Sequence, residues 1–117
     1  LKDKRAEIIH VTAQFSAVLR IGELEIYHEY RRVLMAGREV RLNHGEYAML
    51  YCMASSPGQV FSKAQLYAAA WGEEYLHGTT SVENIIWRLR QKLEEDPKHP
   101  TYIKTVIRGG YKIGKSP

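Results

Sequence analysis

The sequence has a single cysteine, Cys52, two phenylalanines and four prolines. One cysteine excludes an intramolecular disulfide, and with no CxxC or clustered Cys/His spacing there is no signature of structural zinc. A reducing, cytosolic setting is expected. No stretch approaches 18 uninterrupted apolar residues, and the charged start, Leu1 to Ala6, has no apolar run behind it, so neither a membrane span nor a signal peptide is expected. An initiator methionine is also missing, which suggests a piece of a longer chain. The GxxxxGK[ST] phosphate-binding motif is absent. His10, His28, His44, His77 and His99 are scattered without metal-ligand spacing, and Cys52, between Tyr51 and Met53, reads as a small buried apolar residue. No catalytic constellation assembles, so the chain is read as a non-enzyme without cofactor or metal.

What is present suffices for one folded domain: 117 residues, 44% hydrophobic and 26% charged. The charge is uneven. Residues 1–79 hold nine basic and nine acidic side chains, whereas residues 80–117 hold eight basic and four acidic, so the whole net charge of +4 lies in the last third. A localised basic face is the electrostatic footprint of a polyanion partner.

Residues 1–16 show no sustained period and read as a linker or tail, leaving residues 17–117 as the domain. Four short segments with strand character follow within 17–42: Val18 to Ile21, Leu24 to His28, Tyr30 to Met35 and Arg38 to Leu42, with Gly22 and Ala36-Gly37 as turns. Leu24 and Ile26, then Val40 and Leu42, alternate with charged residues, as in an antiparallel sheet with one wet face. Three helices are predicted between 44 and 95 from their start signals. Asn43 to Glu46 and Ser62 to Gln65 are capping boxes, with Leu42/Tyr47 and Phe61/Leu66 placed as hydrophobic staples; Thr80 to Glu83 is a third box. The first helix carries Tyr47, Leu50, Tyr51 and Ala54 at helical spacing and stops near Pro57-Gly58. The second runs from about Lys63 to Trp71 and ends at Gly72. The third runs from about Ser81 to Glu94, before Pro97. A β-hairpin closes the chain within 102–114: Tyr102 to Ile107, an Arg108-Gly109-Gly110 turn, and Tyr111 to Ile113.

At 100° per residue the third helix sorts into an apolar stripe, Val82, Ile86, Leu89 and Leu93, and an opposite face of Asn84, Arg88 and Gln91, with Ser81 and Trp87 at its margins. Arg can bond guanine bidentately, and Asn or Gln adenine, so this face suits a DNA major groove, although any surface helix exposes such residues. Helix, turn, basic helix and a hairpin flanked by Lys104, Arg108, Lys112 and Lys115 make the order of a winged helix-turn-helix, an α+β fold whose hairpin lies on the neighbouring backbone or minor groove.

From about residue 18 to 114 the chain resembles the OmpR/PhoB-type DNA-binding effector domain of bacterial two-component response regulators. The matching text is Leu42-Asn43-His44-Gly45-Glu46-Tyr47, Val60 to Leu66, Ala70-Trp71-Gly72, Ser81 to Glu94, Asp96-Pro97, Tyr102 to Val106 and Gly110-Tyr111-Lys112. The resemblance implies a four-stranded N-terminal sheet, three helices and a C-terminal wing. It also implies transcription control on double-stranded promoter DNA as head-to-tail dimers on direct repeats, under an upstream receiver domain whose phosphorylation promotes dimers. By position, Ser81, Asn84 and Arg88 match base-reading residues. Trp71, Thr80, Trp87, Arg90, Thr105 and Tyr111 match backbone-contacting ones, joined on charge and position by Lys92, Lys104 and Arg108. Two departures stand out. Trp87 fills a slot that is often basic, and the wing arginine comes two residues after Val106 instead of immediately after it, which leaves its entry into the minor groove open. Residues 72–79 correspond to the transactivation loop, where Glu73 and Glu74 would face RNA polymerase. Two other functions fit a winged helix: a protein-interaction module using Trp87, Tyr75 and Ile85 as an apolar anchor, or an RNA-binding domain. Neither requires Asn84 and Arg88 to point together at base edges.

Overall fold

In the computed structural model, which describes residues 18–72 and 81–114, the expected alternation produces an antiparallel meander. Strands β1 (Val18–Ile21), β2 (Leu24–Tyr27), β3 (Arg32–Met35) and β4 (Arg38–Val40) lie in that order. Leu24 pairs with Met35 and Ile26 with Val33, so all four side chains share one face, and all four are buried. The other face is wet and carries the ion pairs Arg20–Glu25 (3.0 Å) and Arg32–Glu39 (3.1 Å). The second and third strands are shorter than the sequence suggests. Between them His28–Tyr30 forms one 3-10 turn closed by Arg31 in the left-handed region (φ 49°), which lifts Tyr30 off the sheet.

Helices α1 (His44–Ala54), α2 (Lys63–Trp71) and α3 (Ser81–Leu93) follow. Both described capping boxes are complete. Asn43 accepts from the Glu46 amide and Glu46 accepts from that of Asn43, and Ser62 and Gln65 exchange the same bonds. Thr80, the cap expected for α3, lies outside the described residues. Helix α1 departs from a one-sided stripe: Met49 and Met53 are buried along with Tyr47, Leu50 and Ala54, because the helix is packed between the sheet, α2 and α3. Tyr51 and Cys52 are half-buried, so Cys52 is less enclosed than expected, and burial still pushes its thiol pKa up. At Gly45 of α1, residues of α2 and α3 pack directly against the backbone. A Cβ there would stand 3.0 Å from Ile85 Cδ1 and 3.2 Å from the Trp71 ring.

The wing is β5 (Ile103–Val106) paired with β6 (Gly110–Ile113). It does not hang free. Phe61 exchanges two backbone hydrogen bonds with Tyr111 (2.8 and 2.9 Å), and Gly58 donates to Ile113 (2.8 Å), so the segment entering α2 is bridged to β6. The contact is so close that any Cβ at Gly110 (φ 124°) would collide with the Phe61 carbonyl. The α+β winged helix-turn-helix expected from the sequence is thus the observed architecture.

Candidate nucleic-acid interface

Helix α3 is amphipathic and adjoins the wing. Val82, Ile85, Ile86, Leu89 and Leu93 enter the core. Ile85 is therefore a core residue, 6% exposed, packed over Gly45, and not part of an exposed anchor. Asn84, Trp87, Arg88 and Gln91 are exposed on the opposite side, with Ser81 half-buried at the helix start. Trp87 is 61% exposed and stands within this face. At about 100° per residue these side chains span less than half the helix circumference, a width that a major groove accepts.

Three side chains near the end of α3 fix that face in space. Arg90 donates from Nε to the Ile103 carbonyl (3.1 Å) and from a terminal nitrogen to Thr105 Oγ1 (2.8 Å), with its guanidinium over the Tyr111 ring (5.7 Å). The structure thus brings Arg90, Thr105 and Tyr111 together where helix and wing meet. Glu94, 7% exposed, accepts from the amides of Thr101 (2.9 Å), Tyr102 (3.1 Å) and Ile103 (2.8 Å), anchoring the entry to β5. Lys92 turns the other way, donating to the Glu46 carboxylate (2.7 Å) and the Arg41 carbonyl (2.9 Å). Its ammonium is held against α1, whereas the guanidinium of Arg90 is held against the wing.

Trp71 closes α2, 41% exposed, its ring tilted on Tyr67 at 4.8 Å and its edge over Gly45. Gly72 ends that helix in the left-handed conformation (φ 67°). Thr80, Glu73, Glu74, Tyr75 and Lys115 lie outside the described residues. Lys104 pairs directly with Lys112 across the hairpin. Alternation puts both on the face opposite Thr105 and Tyr111, away from Arg90.

The wing tip differs from the expected Arg108-Gly109-Gly110 turn by one residue. Gly109 donates to the Val106 carbonyl (2.9 Å), so the central turn residues are Ile107 and Arg108, and Arg108 takes a left-handed φ of 63°. That conformation costs an arginine about 1–2 kcal/mol relative to glycine. Ile107 is 86% exposed. A groove between the wing and the start of α2 is lined by Ser62, Lys63, Ala64 and Thr105 among others.

On the far side of α1, His28 Nδ1 and the Tyr47 hydroxyl share a 2.7 Å hydrogen bond, His28 stacks on Tyr51 (3.9 Å), and Arg31 covers Tyr47 (5.2 Å). His44 Nε2 donates to the Ala70 carbonyl (2.7 Å), joining α1 to α2. Both histidines are exposed, as the sequence suggests, and each also ties two elements together. Among the described residues no cluster of His, Cys, Asp or Glu could hold a metal, and no helix is long and apolar enough to cross a membrane.

Comparison with known proteins agrees with this arrangement. The family described as "Transcriptional regulatory protein, C terminal" matches residues 37–113. The chain is 40% identical over 98 residues to the transcriptional regulatory protein YcbL of Bacillus subtilis, covering 84% of this chain and 43% of that protein. Among solved structures, the RstA DNA-binding domain of Klebsiella pneumoniae, crystallised with the RstA box, superposes with a TM-score of 0.76 at 32% identity, over 83% of this chain and 96% of that one. The Thermotoga maritima response regulator DrrB, an OmpR/PhoB homolog, gives 0.75 at 28% identity, over 84% of this chain and 44% of that one.

Proposed function

Since the chain belongs to the C-terminal transcriptional regulatory family of OmpR/PhoB response regulators, we propose that it binds specific double-stranded DNA sequences and regulates transcription, with α3 in the major groove and the wing on the adjacent backbone. The observation that carries this reading is the joint exposure of Asn84, Arg88 and Gln91 on α3 while Arg90 ties the helix to the wing. The complex of the related RstA domain with its box supports it. Ser81, Asn84 and Arg88 are assigned to base edges, Arg88 to a guanine by its bidentate fork. Arg90, Thr105, Tyr111, Trp71 and Thr80 are assigned to the phosphate backbone, and Trp87 to sugar. Lys104 and Arg108 supply the wing's charge, with Arg108 assigned to the minor groove.

The chain spans less than half the length of YcbL and of DrrB. An upstream receiver domain whose phosphorylation promotes head-to-tail dimers on direct repeats is part of this proposal, as is contact of Glu73 and Glu74 with RNA polymerase. Replacing both glutamates by alanine is expected to lower reconstituted transcription with DNA affinity unchanged; unchanged transcription would remove the polymerase contact.

Selection from a randomised duplex pool, then binding of the winner and a scrambled control across a salt series, tests the central claim. The expected result is a direct-repeat motif bound far more tightly than the control, with a steep log-log salt slope. Equal weak binding to every duplex would count against sequence reading and favour the protein-interaction alternative at Trp87.

A further inference from the structure

Two independent observations converge on the wing tip. Ile107 is the most exposed of the large apolar side chains among the described residues, at 86%. It also occupies a turn whose residues defy the turn's own preferences. With Arg108 at φ 63°, the second central position calls for glycine or asparagine and the first favours proline, yet isoleucine and arginine fill them. Glycine is present at 109 and 110, one step too late to relieve the strain. Exposed apolar surface and strained backbone together, on a turn that could have neither, mark a place where side chains are kept for a partner.

Charge identifies the partner's class. Arg108 stands beside Ile107, and behind them Lys104 and Lys112 oppose each other directly across the hairpin. Like charges in that position repel unless an anion lies nearby. The partner is therefore a polyanion with an apolar-walled recess. The minor groove of DNA meets both conditions, having sugar C–H walls between two phosphate rows. Its floor carries acceptors on A·T pairs and adds the guanine N2 amino donor on G·C pairs.

Resting on the DNA-binding reading above, we infer that Ile107 is a specificity residue that reads the minor groove by rejecting the guanine amino group. An isoleucine fills the groove between the sugar walls and offers no acceptor. A guanine N2–H pressed against it loses its water and gains nothing, whereas an A·T floor presents no such donor. The tip can act this way because the Phe61–Tyr111 bridge, with Gly110 pressed against it, fixes the wing relative to α2, and Arg90 ties the wing to α3.

Inosine provides the test. An I·C pair presents the major groove of G·C but lacks the minor-groove amino group. The selected duplex is made with A·T, G·C or I·C pairs in the segment flanking the helix-read bases, and binding to each is measured by fluorescence anisotropy. The wild-type chain is expected to bind the A·T and I·C duplexes alike and the G·C duplex about fivefold or more weakly. For Ile107→Ala, which alters an exposed side chain, the three affinities are expected within about twofold of one another. For Ile107→Asn, whose amide oxygen can accept from N2, the gap should narrow from the G·C side. Equal wild-type binding to the G·C and I·C duplexes would overturn the inference, as would an undiminished split in Ile107→Ala. A pool that enriches no sequence would overturn the DNA-binding reading and this inference together.

Discussion

Lys92 Nζ lies 2.7 Å from Glu46 Oε1, joining α3 to the first turn of α1 across 46 residues of sequence. Glu46 is 1% exposed and also completes the Asn43 capping box, so one carboxylate sets both the start of α1 and the seat of α3. A carboxylate so enclosed depends on its partner, because a buried charge without one retains its desolvation cost.

Lys92→Met should therefore destabilise the domain by about 2 kcal/mol, less than for a fully buried pair since Lys92 is partly exposed. Chemical denaturation measures this. The salt slope for DNA binding should stay unchanged, and a shallower slope would return Lys92 to the phosphate contacts.

Arg88→Ala should cost about 1–3 kcal/mol on the selected site and relax preference at one base pair. A loss equal on all duplexes would instead make Arg88 a backbone contact.

Trp87→Arg adds a cation to an exposed position of the reading face. If Trp87 lies along the sugar-phosphate backbone, the log-log salt slope should steepen by about 0.9 for the one added phosphate contact. An unaltered slope would place residue 87 away from the backbone.

Arg108→Gly should separate stability from binding. Glycine accepts the left-handed conformation at the turn, so thermal unfolding should report a gain of about 1 kcal/mol. DNA affinity should fall with the lost charge. Unchanged affinity would leave Arg108 with no role on DNA.

Burial, the larger influence, and the neighbouring Tyr51 raise the Tyr47 pKa above that of free tyrosine, against a smaller opposing effect of Arg31. The folded state then holds its proton more tightly than the unfolded chain, so this contribution to stability is complete below pH about 10 and declines as pH rises above it. Tyr47→Phe should flatten the alkaline decline and, by breaking the bond to His28, cost about 1 kcal/mol at neutral pH. An alkaline profile identical to wild type would show that another group governs it.

What was legible in the sequence was local. Asn43 with Glu46 and Ser62 with Gln65 signal helix starts because cap and partner lie three residues apart. The α3 stripe is legible because one side of that helix stays wet. Helix α1 misleads, since a helix enclosed by a sheet and two helices buries residues at every angle and its period disappears. Lys92 and Glu94 look like ordinary exposed charges until the fold brings Glu46 and the 101–103 amides to them. The bridge at Phe61 is a single residue with no period to read, and the turn at Ile107-Arg108 breaks the residue preferences by which turns are recognised. The misjudged positions thus lie mainly where distant segments meet or where the tip is strained.

The stitch between Phe61 and Tyr111, with Gly110 pressed against it, is made of backbone alone. It behaves like the frame of a caliper: main-chain atoms hold the wing against the segment entering α2, and Arg90 and Glu94 clamp it to α3. Side chains on either jaw other than Arg90, Glu94 and Gly110 can then change without altering the span. Outward-facing residues at each end are thereby open to change while the frame that spaces them stays constant, and an insertion or deletion between Pro57 and Phe61 would reset that spacing.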